Sequence, residues 1–407
     1  MMMLMVRALM VLATASSFVM QPSSSGVIVR HAATLEPPPP SSRTKATAPS
    51  SEAAELAACP LTQWGEPMGN IVEEQEKARR EKPRPFTFEL SPPKGLENSK
   101  DGQVEWLSKN ADMVKEKMAT SGAVIFRGWE VLKEPEGFRS AYEALGLSPC
   151  LDPLHAVSAR PMVDKKSAVY EAVNGESRAN FFIGMHNEFV GTRSPRAAMF
   201  VCFKQADVGG EFLVADGRAI FRDVETDLLK RLYEKRIRYS VMELPFFGFV
   251  DKIPVVKDAV AEVLRTVVST AINAKVDFDV SMSWINSETL QARAPAQVPV
   301  LKHPVTGEAT WFCNVHSHSA LLRKRREATY GADQGTGVSQ INKSDMLFGD
   351  DEPISQQDLD ELDRVTNKHI KYLTMTPGDA VLLDNYSTMH GRNVFEGKRK
   401  HAVTWFE

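Results

Sequence analysis

The sequence predicts one large α+β domain, on three observations. Short apolar runs of strand length, at 123–126, 197–203, 380–383 and 399–406, alternate with amphipathic stretches of helical period. The 407 residues are 43% hydrophobic and 25% charged, an ordinary globular composition with ample apolar material for a core. Two motifs that read as halves of one site, His186-Asn187-Glu188 and Asp384-Asn385 with His390-Gly391-Arg392, lie far apart in the chain. They must meet in a single fold.

Composition narrows the function classes. A net charge of −3 gives no global basic signature, so no nucleic-acid partner is expected and a small-molecule substrate is. The four cysteines, Cys59, Cys150, Cys202 and Cys313, lack CxxC spacing and are expected as free thiols in a reducing compartment.

Residues 1–55 are expected to be a disordered targeting leader. Arg7 precedes an apolar run at 8–14 and the small residues Ala15-Ser16-Ser17, a signal-type arrangement too short for a membrane span. The following text is rich in Ser, Thr, Ala and Pro, with Glu36 as its acid, and is transit-peptide-like. The Ala15-Ser16-Ser17-Phe18 junction resembles the cleavage motif of two-part plastid leaders, so a plastid is expected, with a mitochondrion as the alternative. No stable membrane span is expected after leader removal.

Residues 56–85 read as a linker or a solvated helix, and the folded domain is expected over 86–407. Val104, Leu107, Ala111, Val114 and Met118 recur at helical spacing and predict a helix over 102–120, stopped by Gly122. A buried strand follows at 123–126, and Phe138, Tyr142 and Leu145 predict a helix over 134–145. A strand at 197–203 leads into a turn at 207–210. Helices are predicted over 225–236, 257–274 and 356–370, and strands over 380–383 and 399–406. The span from about 240 to 345 is the least regular, and is expected to be an insert that covers substrate.

His186 and Glu188 stand at i and i+2, which in an extended segment puts both side chains on one face. With His390 they make two imidazoles and one carboxylate, a set that holds one face of an octahedral Fe(II) and leaves open positions. Arg399 opens the last strand, and alternation places it on one face with His401, Val403 and Trp405. A buried arginine there is costly without a partner. Its planar guanidinium suits a carboxylate.

His186-Asn187-Glu188, Ser194-Pro195-Arg196, Gly209-Gly210-Glu211, Ala215-Asp216-Gly217-Arg218, Gly378-Asp379 and the terminal Asp384-Asn385 and His390-Gly391-Arg392 resemble the taurine dioxygenase-like (TauD/TfdA) family of Fe(II)/2-oxoglutarate oxygenases. The resemblance spans about 86–407. It implies a mainly β, double-stranded β-helix (jelly-roll, cupin-like) core with flanking helices. It also implies Fe(II) on His186, Glu188 and His390, 2-oxoglutarate and O2 as co-substrates, and Arg399 as the anchor of the distal 2-oxoglutarate carboxylate. The implied reaction is hydroxylation or desaturation of an unactivated C–H, with release of succinate and CO2. Halogenating relatives lack the carboxylate, so Glu188 disfavours halogenation. A chlorophyll-type propionate side chain of a pigment precursor is the expected substrate, with an amino-acid-derived metabolite or a non-catalytic ligand-binding member of the fold as alternatives.

Three positions depart from the family pattern. Many members carry Asp where Glu188 stands, a threonine often occupies the position of Phe212, and some relatives have a second arginine at Val403. Elsewhere, Cys313-x-x-His316-x-His318 has metal-like spacing without an evident fourth ligand and is expected to be structural or part of a substrate loop. Arg323-Lys324-Arg325-Arg326 is expected as a solvated face, and His401 as a packed residue rather than a ligand.

Overall fold

The computed structural model describes residues 56–153, 162–165, 167–171, 178–189, 191–245, 281–284, 289–331 and 344–407, with 263, 266 and 270. The expected leader and almost all of the expected 257–274 helix lie outside the described residues.

Two sheets form the body. The eight-stranded major sheet runs Phe88–Leu90, Ala123–Phe126, Ala380–Asp384, Ala197–Lys204, Lys400–Phe406, Val169–Glu171 and Met162–Asp164, with Pro149–Cys150 also paired to Lys400–Phe406. The four-stranded minor sheet runs Ile370–Leu373, Phe212–Asp216, Thr388–Arg392 and Ile183–His186, all antiparallel. Side-chain alternation along each major strand explains why these runs read as almost wholly apolar. Val124, Phe126, Met199, Val201, Leu382, Ala402 and Phe406 face outward onto Leu107, Val114, Trp129 and Phe138 of the helical lead-in. Ile125, Phe200, Cys202, Val381, Leu383, Val403 and Trp405 face the other way and share one cluster with Phe212, Val214 and Leu373 of the minor sheet. That shared cluster puts the two sheets face to face. The outer side of the minor sheet buries Met185, Leu213, Ala215 and Met389 against Leu229, Leu232, Leu359, Leu362 and Val365 of two further helices. Fully burying one such aromatic or aliphatic side chain contributes about 1.5–3 kcal/mol.

Within the described residues the predicted helices and strands occur with small shifts at their ends, and the 102–120 helix divides into Lys100–Lys109 and Ala111–Ser121 at Asn110. Two expectations change more. Residues 56–85 are bound to the body rather than a free linker. The backbone of Ala57 bridges to Cys150, Thr62 donates to Thr192 O (2.8 Å), and Ser194 donates to Pro60 O (3.0 Å). The helix Ile71–Arg80 is polar in sequence, but it carries Gln75 fully buried, donating to the carbonyls of Phe221 and Val224. Mostly polar text hid this packing because only Ile71, Val72 and Ala78 of the helix add apolar contact, and buried hydrogen bonds from Gln75 supplement it. The 240–345 span contains a regular four-stranded sheet, Ser281–Trp284, Thr289–Arg293, Ile237–Pro245 and Ser344–Phe348. It also holds the hairpin of Val300–Lys302 with Ala309–Trp311. Its strands are mostly short and partly polar, so the apolar alternation that marks a strand is weak, and Ile237–Pro245 and Ser344–Phe348 are far from their partners in sequence. No helix among the described residues is long and apolar enough to cross a membrane.

Candidate metal centre

The site is built where the minor sheet's last two strands meet. Thr388–Arg392 and Ile183–His186 are antiparallel, and their register sets His390 directly opposite His186. The two imidazoles face each other with ring centroids 4.3 Å apart. The ladder then slips by one residue before Arg392 pairs with Ile183. Gly391 sits at the slip, and a Cβ there would stand 2.6 Å from the Ile183 carbonyl oxygen, so only glycine fits the approach.

Glu188 follows two residues after His186, and its Oε1 lies 3.4 Å from His390 Nε2. One ligand atom from each of His186, Glu188 and His390 falls within 4.8 Å of the other two, and this is the sole such group among the described residues. His186 Nδ1 lies 2.9 Å from Gly184 O. That contact fixes the Nδ1–H tautomer and leaves Nε2 as a lone-pair donor. Burial and the neighbouring His390 push the His186 imidazolium down to about 3, against the pull of Glu188, so the ring is neutral at physiological pH. His390 packs against the rings of Phe200 (4.8 Å) and Phe212 (5.9 Å), which also touch each other (4.6 Å).

Arg399 and His401 lie on the side of the last strand that carries Val403 and Trp405, the side turned toward the space between the two sheets. Arg399 is 7% exposed, with Nε donating to Gly210 O (3.3 Å) and Nη2 to His401 Nδ1 (2.9 Å). Burial lowers its pKa to about 10, which leaves the guanidinium charged at neutral pH. Gly209 and Gly210 both have positive φ, and a Cβ on Gly210 would lie 3.4 Å from Arg399 Cδ. His401 is therefore a partner of Arg399, and Val403 lies in the apolar cluster beyond it.

Arg392 joins the site's surroundings without a role assigned by the sequence. Two residues after His390 on a strand, it shares that residue's face. Its Nη2 donates to the carbonyls of Arg178 (2.7 Å) and Phe181 (2.6 Å), and its guanidinium lies 4.8 Å from the Phe395 ring that Arg399 also approaches, at 6.0 Å. The i+2 spacing was the available signal.

The Cys313-x-x-His316-x-His318 motif makes no metal cluster among the described residues. His316 Nδ1 accepts from Met185 N (2.9 Å) and its Nε2 lies 3.3 Å from Asp363, so it braces the His186 strand from behind. His318 packs edge-on against Tyr239. The basic run is not a plain solvated face. Arg323 donates to Ser344, Arg325 pairs with Asp360, and Arg326 lies 3.8 Å from Asp363.

The profile of the Taurine catabolism dioxygenase TauD, TfdA family matches residues 87–405. The chain belongs to that family. This TauD/TfdA protein is 22% identical over 289 residues to a clavaminate synthase-like protein of Arabidopsis thaliana, covering 69% of this chain and 80% of that one. It is also 22% identical over 296 residues to the dapdiamide synthesis protein DdaC of Enterobacter agglomerans, covering 71% and 83%. Among solved structures, PvcB of Pseudomonas aeruginosa aligns over 80% of this chain and 86% of its own, with 14% identity and a TM-score of 0.44. As a TauD/TfdA member the protein is an oxidoreductase, a dioxygenase that uses Fe(II) with 2-oxoglutarate and O2. The donor set fits that metal: two imidazoles and one carboxylate converge, and among the described residues no fourth protein ligand joins them.

Proposed function

We propose that His186, Glu188 and His390 hold Fe(II), and that Arg399 binds the distal carboxylate of 2-oxoglutarate. The reaction is hydroxylation or desaturation of an unactivated C–H of a small organic molecule, with release of succinate and CO2. The observation that carries this reading is the convergence of the three ligand atoms within 4.8 Å of one another, with a buried Arg399 held by His401 on the opposite sheet. Bound iron supplies the oxidising chemistry with O2 and the keto acid.

The protein's own residues supply placement and exclusion of water. The Gly184 carbonyl orients His186, Phe200 and Phe212 fix the plane of His390, and His401 steadies Arg399 from the major sheet. Apolar walls from Phe200, Phe212 and Val214 keep water from the reacting groups. The two facing sheets are read as a double-stranded β-helix, the jelly-roll core of the fold.

For substrate and compartment we propose a plastid pigment precursor oxidised at a chlorophyll-type propionate side chain. This rests on reading residues 1–55 as a plastid leader ahead of the 86–407 catalytic domain. The test begins with anaerobic absorbance of the leader-less protein, titrated with Fe(II) and then 2-oxoglutarate. A visible charge-transfer band supports the metal and keto-acid assignments, and its absence from folded protein sinks them. Succinate release with porphyrin propionates, compared with amino-acid-derived candidates, then separates the two substrate classes.

A further inference from the structure

The strand that carries His186 ends there, yet the next two residues remain held as if the ladder continued. Asn187 N–H donates to Asn314 Oδ1 (2.8 Å), and Asn314 Nδ2 donates back to Asn187 O (3.1 Å). Glu188 N–H donates to Asn385 Oδ1 (2.8 Å), and Asn385 Nδ2 donates back to Glu188 O (2.8 Å). Each carboxamide thus meets both the N–H and the C=O of one residue, as an antiparallel neighbour would. In extended chain the groups of successive residues point to opposite sides, so the two asparagines grip the segment from either flank.

The clamp is itself anchored. Asn187 Nδ2 donates to Asn385 O (2.8 Å), so the middle residue of the first motif holds the second motif in return. Asn385 Nδ2 also reaches Pro195 O (2.9 Å). Its neighbour Asp384 is fully buried between Arg196 (2.9 Å) and His303 (3.1 Å), and accepts from the N–H of Tyr386 (3.0 Å). All three asparagines are buried.

We infer that Asn314 and Asn385 are positioning residues that set the direction of the Glu188 side chain toward the metal. The inference rests on the assignment of Glu188 as a ligand. Glutamate has one more rotatable bond than the aspartate many relatives carry, so its carboxylate reaches a fixed point only if its backbone is held. A ladder of side-chain amides does this where no strand is available on either flank. Water or loop backbone would satisfy the same peptide groups without fixing them.

The test uses Asn314→Asp and Asn385→Asp, which keep shape and one acceptor but replace the returning donor with an oxygen facing a carbonyl. Co(II) is the probe, read by its d–d absorption in the leader-less protein, with near-ultraviolet circular dichroism as the check on folding. Glu188→Ala is measured in parallel. The expected result is that both Asp variants fold, bind Co(II) about 10–100-fold more weakly than wild type, and shift the bands that report coordination geometry. If either variant folds poorly, the other gives the same reading from the opposite flank. Co(II) affinity within twofold of wild type and unshifted bands in a folded variant would overturn the clamp. Failure of the underlying assignment looks different: Glu188→Ala would then leave Co(II) affinity and bands unchanged.

Discussion

The ring of Phe212 lies nearly parallel to the imidazole of His390, at 16° and 5.9 Å between centroids. Phe212 occupies the position where relatives often carry a threonine, and it trades a hydroxyl for packing on a metal-site histidine. Phe212 is buried in the cluster between the sheets. Phe212→Ala should therefore destabilise the fold by about 3–5 kcal/mol, read from urea unfolding. Phe212→Thr restores a hydroxyl near the space Arg399 faces, so its KM for 2-oxoglutarate should be lower than that of Phe212→Ala. Equal KM values would show that this position does not touch the co-substrate.

Gly391 allows the closest backbone approach at the site. Gly391→Ala would place a methyl 2.6 Å from Ile183 O, so one strand must move away from the other. The expected cost is about 1–3 kcal/mol of stability. Because His390 and His186 are register partners, Fe(II) affinity should fall more than stability alone explains. His390→Ala should abolish iron-dependent succinate formation with the fold intact. Retained turnover in that variant would remove His390 from the ligand set.

Arg399→Ala should raise the KM for 2-oxoglutarate by about 10–100-fold while leaving Fe(II) affinity nearly unchanged, as for loss of a charge-assisted bidentate bond. Arg399→Lys should recover little, since a lysine lacks the planar fork. An unchanged KM in Arg399→Ala would pass the role to another cation. Arg392, two residues beyond His390 and beside the same Phe395 ring, is the first to test.

How far the sequence reveals this molecule depends on which forces hold each part. Strands such as 123–126 and 380–383 are legible because both their faces are apolar, and the candidate site because His186, Glu188 and His390 carry unusual chemistry at fixed spacing and come together in the fold. Gln75 and the asparagines at 187, 314 and 385 are not legible in the same way. A polar side chain that satisfies buried backbone looks, in sequence, like one that faces water. Residues 56–64 were read as linker for a related reason: they are tied to 150–151 and 192–194 chiefly through backbone groups, which leave no mark on residue type. The metal-like spacing of Cys313, His316 and His318 misleads in the opposite direction, since His316 serves the backbone of Met185.

The pH dependence of the metal-free protein follows from depressed histidines, His186, His318, His316 and His401, each lowered chiefly by burial. Burial and His390 hold His186 at about 3, and burial with the nearby Arg323 guanidinium holds His318 at about 4. In the unfolded chain all four titrate near 6.5. Below that value the unfolded state binds protons that the folded state refuses, so stability must fall as pH drops from about 6.5 toward 4. The loss at pH 5 should be about 1–2 kcal/mol for each of His186 and His318. Asp384 adds to it only at lower pH: despite its burial, His303 and Arg196 hold it below the usual carboxylate range, so its contribution persists until the carboxylate itself protonates. Denaturant unfolding of the metal-free protein at pH 7 and pH 5 measures the difference. His318→Gln should flatten the slope only in part, because it removes one of the four imidazoles that resist protonation in the fold. A stability that is level between pH 7 and 5 would mean that these rings accept protons in the folded state, and so would contradict the neutral, ligand-ready His186.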